Sequence, residues 1–347
     1  MVKQYLSIAI QLIGVVEDDS GLKKVDIIIN GKPLTVDEGR GLRVDRVEAT
    51  KRYEFNERVA VNSGKNFIKI VAEDVSGRVT EQTMTVNRKD DKGKVWAVIV
   101  GVDTYTNLPH LKYAVKDAQA FNDLLLENNL VHSKNIFLAT NKKANLTSLR
   151  TILGTELKKK AGQDDLVIIY FAGHGATERD SRSPDGDGIE KYLLPYDADP
   201  NNLYATALPM GEISHILNRI NSDRLIFIAD ACYSGASGGR TIPLQGIRSN
   251  LSDEFLNRIA SGKGRVIMTA SGPNEVSVED DDLQHGVFTY HLMEAMEGRA
   301  DYDTDGFVTV DEAYRYVSEK VPNDTDQQQH PIKRGVVEGQ LVLGIVN

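Results

Sequence analysis

The sequence predicts an α/β domain, with a mostly parallel, doubly wound sheet flanked by helices, preceded by a small all-β sandwich. Two observations carry the division. Residues 1–88 consist of short runs rich in Val, Ile and Thr separated by turn signals, the texture of a sandwich. From Val95 onward, short apolar runs alternate with stretches of helical period, the pattern of strand–helix units on a parallel sheet. The charged stretch Arg88–Lys94 (RKDDKGK) reads as a linker, so the domains are expected at 1–88 and 95–347 with 89–94 between them.

In the first domain, strands are expected over Leu6–Val15, Lys24–Ile29, Arg52–Val61, Asn66–Asp74 and Val79–Val86. Turn signals at Asp18–Gly21, Asn30–Gly31, Asn62–Gly64 and Ser76–Gly77 divide them; Asn-Gly behind an apolar run is a strong hairpin signal. The run VNSGKNFIKIVAEDVSGRVTEQTMTV resembles the last hairpin of bacterial immunoglobulin-like domains, which implies an immunoglobulin-like sandwich. This domain has no histidine and no cysteine, and its 14 Lys and Arg balance 13 Asp and Glu. It lacks the usual nucleophile and base, so its expected role is to dock a protein partner or position its neighbour.

In the second domain, Val95–Val102 is a continuous apolar run suited to a strand covered on both faces. Ala114–Asn128 has a helical pattern through Ala118, Phe121, Leu124 and Leu125. A short strand Asn135–Ala139 and a helix from Leu146 to Lys160 follow. Leu166–Phe171, Arg224–Ala229 and Gly264–Ala270 are further strands, with a last one near Gln340–Ile345. In such sheets the reactive residues lie past the carboxyl ends of the strands. That rule selects the segments after Phe171 and after Ala229.

Composition narrows the function. The net charge of −9 lies beyond residue 88 and argues against nucleic acid as a partner. No apolar run approaches the ~18 residues of a membrane span, and Tyr5–Val16 alternates like a strand rather than a signal peptide. No membrane association is expected, and the cytoplasm is the favoured address. A chain that starts so abruptly in a strand suggests a piece of a longer protein. One cysteine, Cys232, rules out an intramolecular disulfide. A lone cysteine is ordinarily a small buried hydrophobe, so its neighbours must decide its role.

After the strand Val167–Phe171 comes Ala172-Gly173-His174-Gly175, and after Leu225–Ala229 comes Asp230-Ala231-Cys232-Tyr233-Ser234-Gly235. A thiol needs a base to hold it as thiolate, and imidazole is the usual one. The glycines beside His174 let the backbone approach a substrate closely. The backbone N–H groups of Gly175 and Cys232 are then placed to receive an oxyanion. "YFAGHG" and "DACYSG", with Cys232 58 residues after His174, resemble the caspase–metacaspase–gingipain–clostripain superfamily. "VWAVIVGVDTYTNLPHLKYAVKDAQAF" and "ASGPNEVSVEDDDLQHGVFTYHL" resemble its opening strand–helix and its substrate-side loop. The resemblance spans Val95–Leu343 and implies a cysteine endopeptidase with a His174–Cys232 dyad, no third orienting residue and no organic cofactor. The bland alternative makes Cys232 structural and His174 a loop residue. The remaining histidines, His285 among them, match no motif and read as surface or helix-cap residues.

The resemblance also implies specificity. Asp230 stands where an Asp of metacaspase- and clostripain-like relatives selects Arg or Lys before the scissile bond, and Asp117 matches the second pocket carboxylate of metacaspases. Protein or peptide substrates with Arg or Lys at that position are therefore expected. An empty pocket would leave the two carboxylates repelling each other. The alternatives are a carboxylate that braces the loop (Asp230) and one on a helix surface (Asp117). Arg240 and Arg248, in the Gly/Ser-rich stretch after Cys232, are candidate self-cleavage points.

Asp301-x-Asp303-x-Asp305-Gly306 followed by Glu312 fits the calcium loop of an EF-hand, with helical patterns over Tyr290–Glu297 and Asp311–Glu319. Asp301, Asp303, Asp305, the Phe307 carbonyl, Thr309 through water, and Glu312 would be the ligands; an acidic solvated loop is the alternative. Asp180, Asp185, Asp187 and Glu190 fall where metacaspases bind activating calcium, but Lys191 interrupts that pattern, and a surface loop is expected. Two rival functions share the fold: a silent adaptor, and another amide hydrolase or transpeptidase.

Overall fold

The computed structural model describes residues 8–34, 50–61, 64–88, 93–183, 186, 188–231, 256, 260, 264–272, 275–335 and 340–346. The chain forms two compact units, Met1–Asp91 and Lys92–Asn347.

The first unit is all-β. Its strands are β1 (Ile8–Ile29), β2 (Lys32–Pro33), β3 (Thr50–Val61), β4 (Gly64–Asp74) and β5 (Val79–Arg88). Antiparallel pairing runs β2-β1-β4-β5, with β3 also on β1. The turn expected at Asp18–Gly21 is instead an irregularity inside β1. The strand pairs with β3 up to Glu17 and again at Leu22, and with β4 from Leu22 on, with register shifts between Glu17 and Leu22 and between Leu22 and Lys24. The turn chemistry is present: Asp18 Oδ1 accepts from the Ser20 and Gly21 N–H groups at 2.8 and 3.1 Å. It serves a bulge that redirects the strand rather than a reversal. Leu12, Phe55 and Val59 from one side of the bulge share a buried cluster with Ile27 and Ile68 from the other.

The second unit is built on a six-stranded sheet. Its members are β6 (Val95–Gly101), β7 (Ile136–Thr140), β8 (Leu166–Ala172), β12 (Arg224–Asp230), β13 (Arg265–Thr269) and β17 (Ile332–Arg334), in the order β17-β13-β12-β8-β6-β7. All pairs are parallel except β13 with β17. β8 is buried at every position, as a strand covered on both faces must be. Helix α1 (Ala114–Glu127) lays Ala118, Phe121 and Leu125 on this sheet, and the Phe121 ring stacks on Tyr170 at 4.5 Å. Helix α2 (Leu146–Thr151) continues through a π-helical stretch, Ile152–Leu157, to Lys160. After β8 the chain makes a small antiparallel sheet of β9 (Gly175–Arg179), β10 (Ile189–Leu193) and β11 (Leu208–Pro209), then helix α3 (Met210–Arg219).

Past β13 come a short hairpin, β14 (Glu279–Asp280) with β15 (His285–Gly286), and helix α4 (Val287–Glu294), extended by a π-helical stretch to Arg299. β16 (Phe307–Thr309) leads into helix α5 (Val310–Asp324). The strand expected near Gln340–Ile345 exists as β18 (Val342–Ile345), and it pairs with β16 outside the main sheet. The antiparallel edge strand β17 and the β9–β10 hairpin are absent from the sequence reading, both being short.

Candidate active site

Asp230, two residues before Cys232, is the parallel partner of Ala172, two residues before His174. The Gly173 N–H donates to the Asp230 carbonyl at 3.3 Å and extends that alignment past the strand ends. Cys232 itself lies outside the described residues, as do Arg240 and Arg248.

His174 is 2 % exposed. Its Nε2 lies 2.9 Å from the Pro109 carbonyl oxygen. A carbonyl only accepts, so Nε2 carries the hydrogen in this contact, which in the neutral ring leaves the lone pair on Nδ1. The His174 N–H donates to Tyr105 Oη at 2.7 Å, and the two rings lie 4.9 Å apart at 38°. The Leu194 N–H donates to the His174 carbonyl at 3.0 Å. Sequence reasoning expected no third residue to orient this imidazole. The group beside Nε2 is a backbone carbonyl, which no motif search can see.

The loop Val102–Tyr113, which carries Tyr105 and Pro109, is held at several points. Asn141 Oδ1 accepts from the Asp103 and Thr104 N–H groups. The Leu111 N–H donates to the Asp103 carbonyl, and the Thr106 N–H to that of Tyr196. Glu279 accepts from the N–H groups of Lys112 and Tyr113 at 3.1 and 3.0 Å, beside the start of α1. Lys112 also pairs with Asp281, whose carboxyl is held below its usual range by that ammonium and by the Tyr113 hydroxyl.

The flanking glycines divide their duties. A Cβ on Gly173 would stand 2.7 Å from Tyr105 Oη, so the close approach that this glycine permits is that of Tyr105. Gly175 opens β9 opposite Leu193. Because the bonds bracketing this pair run from residues 174 and 194, it is a non-hydrogen-bonded pair, and the Gly175 N–H points away from β10. β9 is the edge of its sheet among the described residues.

Asp117 and Asp230 are both fully buried. Each has hydrogen-bond partners of its own. Asp230 Oδ1 accepts from Ser277 Oγ at 2.5 Å and Oδ2 from Thr289 Oγ1 at 2.6 Å; Tyr170 Oη lies 2.7 Å from that same Thr289 oxygen. Asp117 Oδ1 meets His285 Nδ1 at 2.6 Å, and its Oδ2 accepts from the Gly286 N–H at 3.1 Å. His285 is thus neither a surface nor a cap residue but the partner of a buried carboxylate. Both carboxylates draw their partners from residues 277–289. The start of this segment is anchored by fully buried Gln329, which donates to the Ala270 carbonyl and accepts from the Val278 N–H, each at 2.9 Å. Glu275 binds the His330 ring and N–H at 2.7 Å.

In the acidic loop, carboxylate oxygens of Asp301, Asp303 and Asp305 lie within 4.8 Å of one another. Asp301 accepts from the N–H groups of Asp305 and Gly306, both at 3.0 Å, and Gly306 takes the left-handed conformation (φ 83°) that the turn requires. Thr309 and Glu312 depart from their expected places. The Thr309 hydroxyl accepts from the Glu312 N–H, while Glu312 Oε2 accepts from the Thr309 N–H and hydroxyl. The pair forms a capping box at the start of α5, because exposed first-turn N–H groups of a helix need acceptors. Of the second acidic cluster, Asp185 and Asp187 lie outside the described residues. Asp180 accepts from the Arg182 N–H, and Lys191 is fully buried with Nζ 3.2 Å from the Ile189 carbonyl.

The fold and this arrangement define an α/β domain with its candidate reactive groups at adjoining carboxyl ends of parallel strands. The caspase-domain family model matches residues 94–335, well over half of the chain, so the chain belongs to the caspase-domain family, whose fold is that of cysteine peptidases. Among solved structures, protein GSU0716 from Geobacter sulfurreducens is similar, with a TM-score of 0.51 and 14 % identity over 73 % of this chain and 100 % of that one. Caspase-1 from Spodoptera frugiperda matches with a TM-score of 0.44 and 15 % identity over 74 % and 91 % of the two chains. No curated protein sequence matches the chain. Among the described residues, no helix is long and apolar enough to cross a membrane.

Proposed function

We propose that the protein is a cysteine endopeptidase in which His174 and Cys232 form the catalytic dyad and which cleaves after Arg or Lys. The observation that carries this reading is the contact of His174 Nε2 with the Pro109 carbonyl. With Nε2–H on the Pro109 carbonyl, Nδ1 is the nitrogen that takes the Cys232 proton. The thiolate then attacks the scissile carbonyl carbon, and the oxyanion that forms is met by the N–H groups of Gly175 and Cys232. His174 returns its proton to the leaving amine and then activates the water that breaks the thioester.

Asp230 and Asp117 supply negative charge for a guanidinium or ammonium. The convergence of their partners on residues 277–289 supports a shared wall for both. The test is turnover of an arginyl fluorogenic peptide by the full chain, with and without a thiol alkylator, and by Cys232→Ala and His174→Ala. Loss of turnover in each with the fold retained supports the reading, and normal turnover by Cys232→Ala refutes it. A silent adaptor would leave the peptide intact; a transpeptidase would return a product of different mass.

Calcium is the cation proposed for the acidic loop, supported by the trio of Asp301, Asp303 and Asp305. Those three carboxylates and the Phe307 carbonyl would hold it, with Thr309 contributing through water. Glu312 joins them only if its side chain leaves the capping box. The first unit is read as an immunoglobulin-like sandwich that docks a protein partner, a reading supported by the core shared across the β1 bulge.

A further inference from the structure

Val102–Tyr113 meets His174 at two places: the Pro109 carbonyl at the tip of the imidazole, and Tyr105 at the backbone and ring face. We propose that Tyr105 is a positioning residue for the His174 base, acting through both its hydroxyl and its ring. The inference rests on the reading of His174 as the base.

The hydroxyl answers a local need. His174 sits between the end of β8 at Ala172 and the start of β9 at Gly175, where ladder bonding changes direction. Its carbonyl is taken up by the Leu194 N–H, while its own N–H donates to Tyr105 Oη. A buried N–H without an acceptor would pull the backbone toward another partner, and the imidazole would move with it. The ring answers a second need. An imidazole swings about two side-chain torsions, and the Tyr105 ring 4.9 Å away limits that swing, keeping Nε2 within reach of Pro109. Tyr105 is itself nearly fully buried, and Gly173 leaves the room its hydroxyl requires. One loop thereby grips both ends of one residue, from positions only four apart in the chain.

Three variants of the full chain test this on an arginyl peptide. Tyr105→Phe keeps the ring and removes the acceptor; kcat is expected to fall about ten- to a hundredfold with KM within about twofold, as when a group acts on the transition state alone. Tyr105→Leu removes the ring as well and is expected to fall further, so the conservative variant gives partial rescue. Gly173→Ala forces Oη away from the His174 N–H while leaving Tyr105 intact, and is expected to reproduce the Tyr105→Phe loss. Alkylation of Cys232 by iodoacetamide at neutral pH reads the same effect without substrate and should slow in parallel. Parent-like kcat and alkylation rates in folded Tyr105→Phe overturn the proposal. If that variant does not fold, parent-like values in Gly173→Ala overturn it. A loss confined to KM does so as well. Normal turnover by Cys232→Ala would instead remove the dyad itself; a dead Cys232→Ala beside a normal Tyr105→Phe removes only the role given to Tyr105.

Discussion

Asp230→Asn separates the charge of the proposed pocket from its architecture, because the groups around Asp230 can tolerate the amide. Both carboxylate oxygens accept from hydroxyls, Ser277 Oγ and Thr289 Oγ1. A hydroxyl both donates and accepts, so the asparagine NH₂ can donate to one of them after that hydroxyl rotates. If it is Thr289, the displaced hydrogen has an acceptor in Tyr170 Oη at 2.7 Å. The chain of bonds can run in reverse as far as Tyr170, whose own hydrogen must then turn to another acceptor, so the structural cost should be about 1–2 kcal/mol. The loss toward a cationic substrate is of a different size. Removing one partner of a desolvated charge pair costs about 2–5 kcal/mol, a factor of about 30 to 4000 in kcat/KM at 1.4 kcal/mol per decade. The assay is kcat/KM for a matched pair of peptides, one with arginine and one with a neutral isostere before the scissile bond, together with a thermal melt of parent and variant. The expected result is a collapse of the arginine preference at a nearly unchanged melting temperature. Equal losses on both peptides with a lowered melting temperature would mean that Asp230 braces the strand end. Unchanged arginyl turnover, or a profile showing cleavage after Asp, would refute the pocket assignment.

Calorimetric titration with calcium should release or absorb heat in the parent and not in Asp301→Ala/Glu312→Gln; no heat and no thermal stabilisation at millimolar calcium would rule the site out. Prolonged incubation of active protein should yield fragments ending at Arg240 or Arg248, visible by intact mass and absent from Cys232→Ala; identical masses count against self-cleavage. A chain beginning at Lys92 should fold and turn over small peptides, since no catalytic group is assigned before it. Loss of that activity in a folded protein would give the first unit more than a docking role.

The strand ends were legible because apolar runs such as Val95–Gly101 and Leu166–Ala172 are dense enough to mark buried parallel strands, and the motifs that follow them hold residue types with few structural uses. What escaped is what depends on tertiary approach. The Pro109 carbonyl has no side-chain signature, and the partnership of Tyr105 with His174 joins residues 69 apart in sequence. His285 matched no motif because its significance lies in meeting Asp117 168 residues away. Other misreadings came from chemistry that serves two ends. Asp18–Gly21 has the residues of a turn, and the same side-chain-to-backbone bonds stabilise a bulge when strands exist on both sides to pair with. Thr309-x-x-Glu312 satisfies the last positions of a calcium loop and, equally, the first turn of a capped helix. In the structure these two side chains form the capping box.

Residues 270–289 connect these observations physically. Ser277 and Thr289 bind Asp230, His285 and Gly286 bind Asp117, and Glu279 accepts from the backbone at Lys112 and Tyr113. That last contact closes the loop that carries Tyr105 and Pro109. At the other end, Gln329 and His330 fasten Ala270–Val278 from just beyond α5, the helix that starts at the edge of the acidic loop. The joints at Asp230, Asp117 and Gln329 are buried or half-buried hydrogen bonds, whereas those at Lys112 and His330 lie at the surface. A displacement at one joint therefore either moves the next or strands a polar group, and the second outcome costs about 1–3 kcal/mol per group. The same segment thus shapes the proposed charge pocket and steadies the proposed base. On the proposed reading, a cationic side chain bound by Asp117 and Asp230 would rest against a segment that also holds the end of the Tyr105–Pro109 loop at Lys112 and Tyr113. If both proposed roles hold, a substitution in this segment should disturb arginine preference and turnover together.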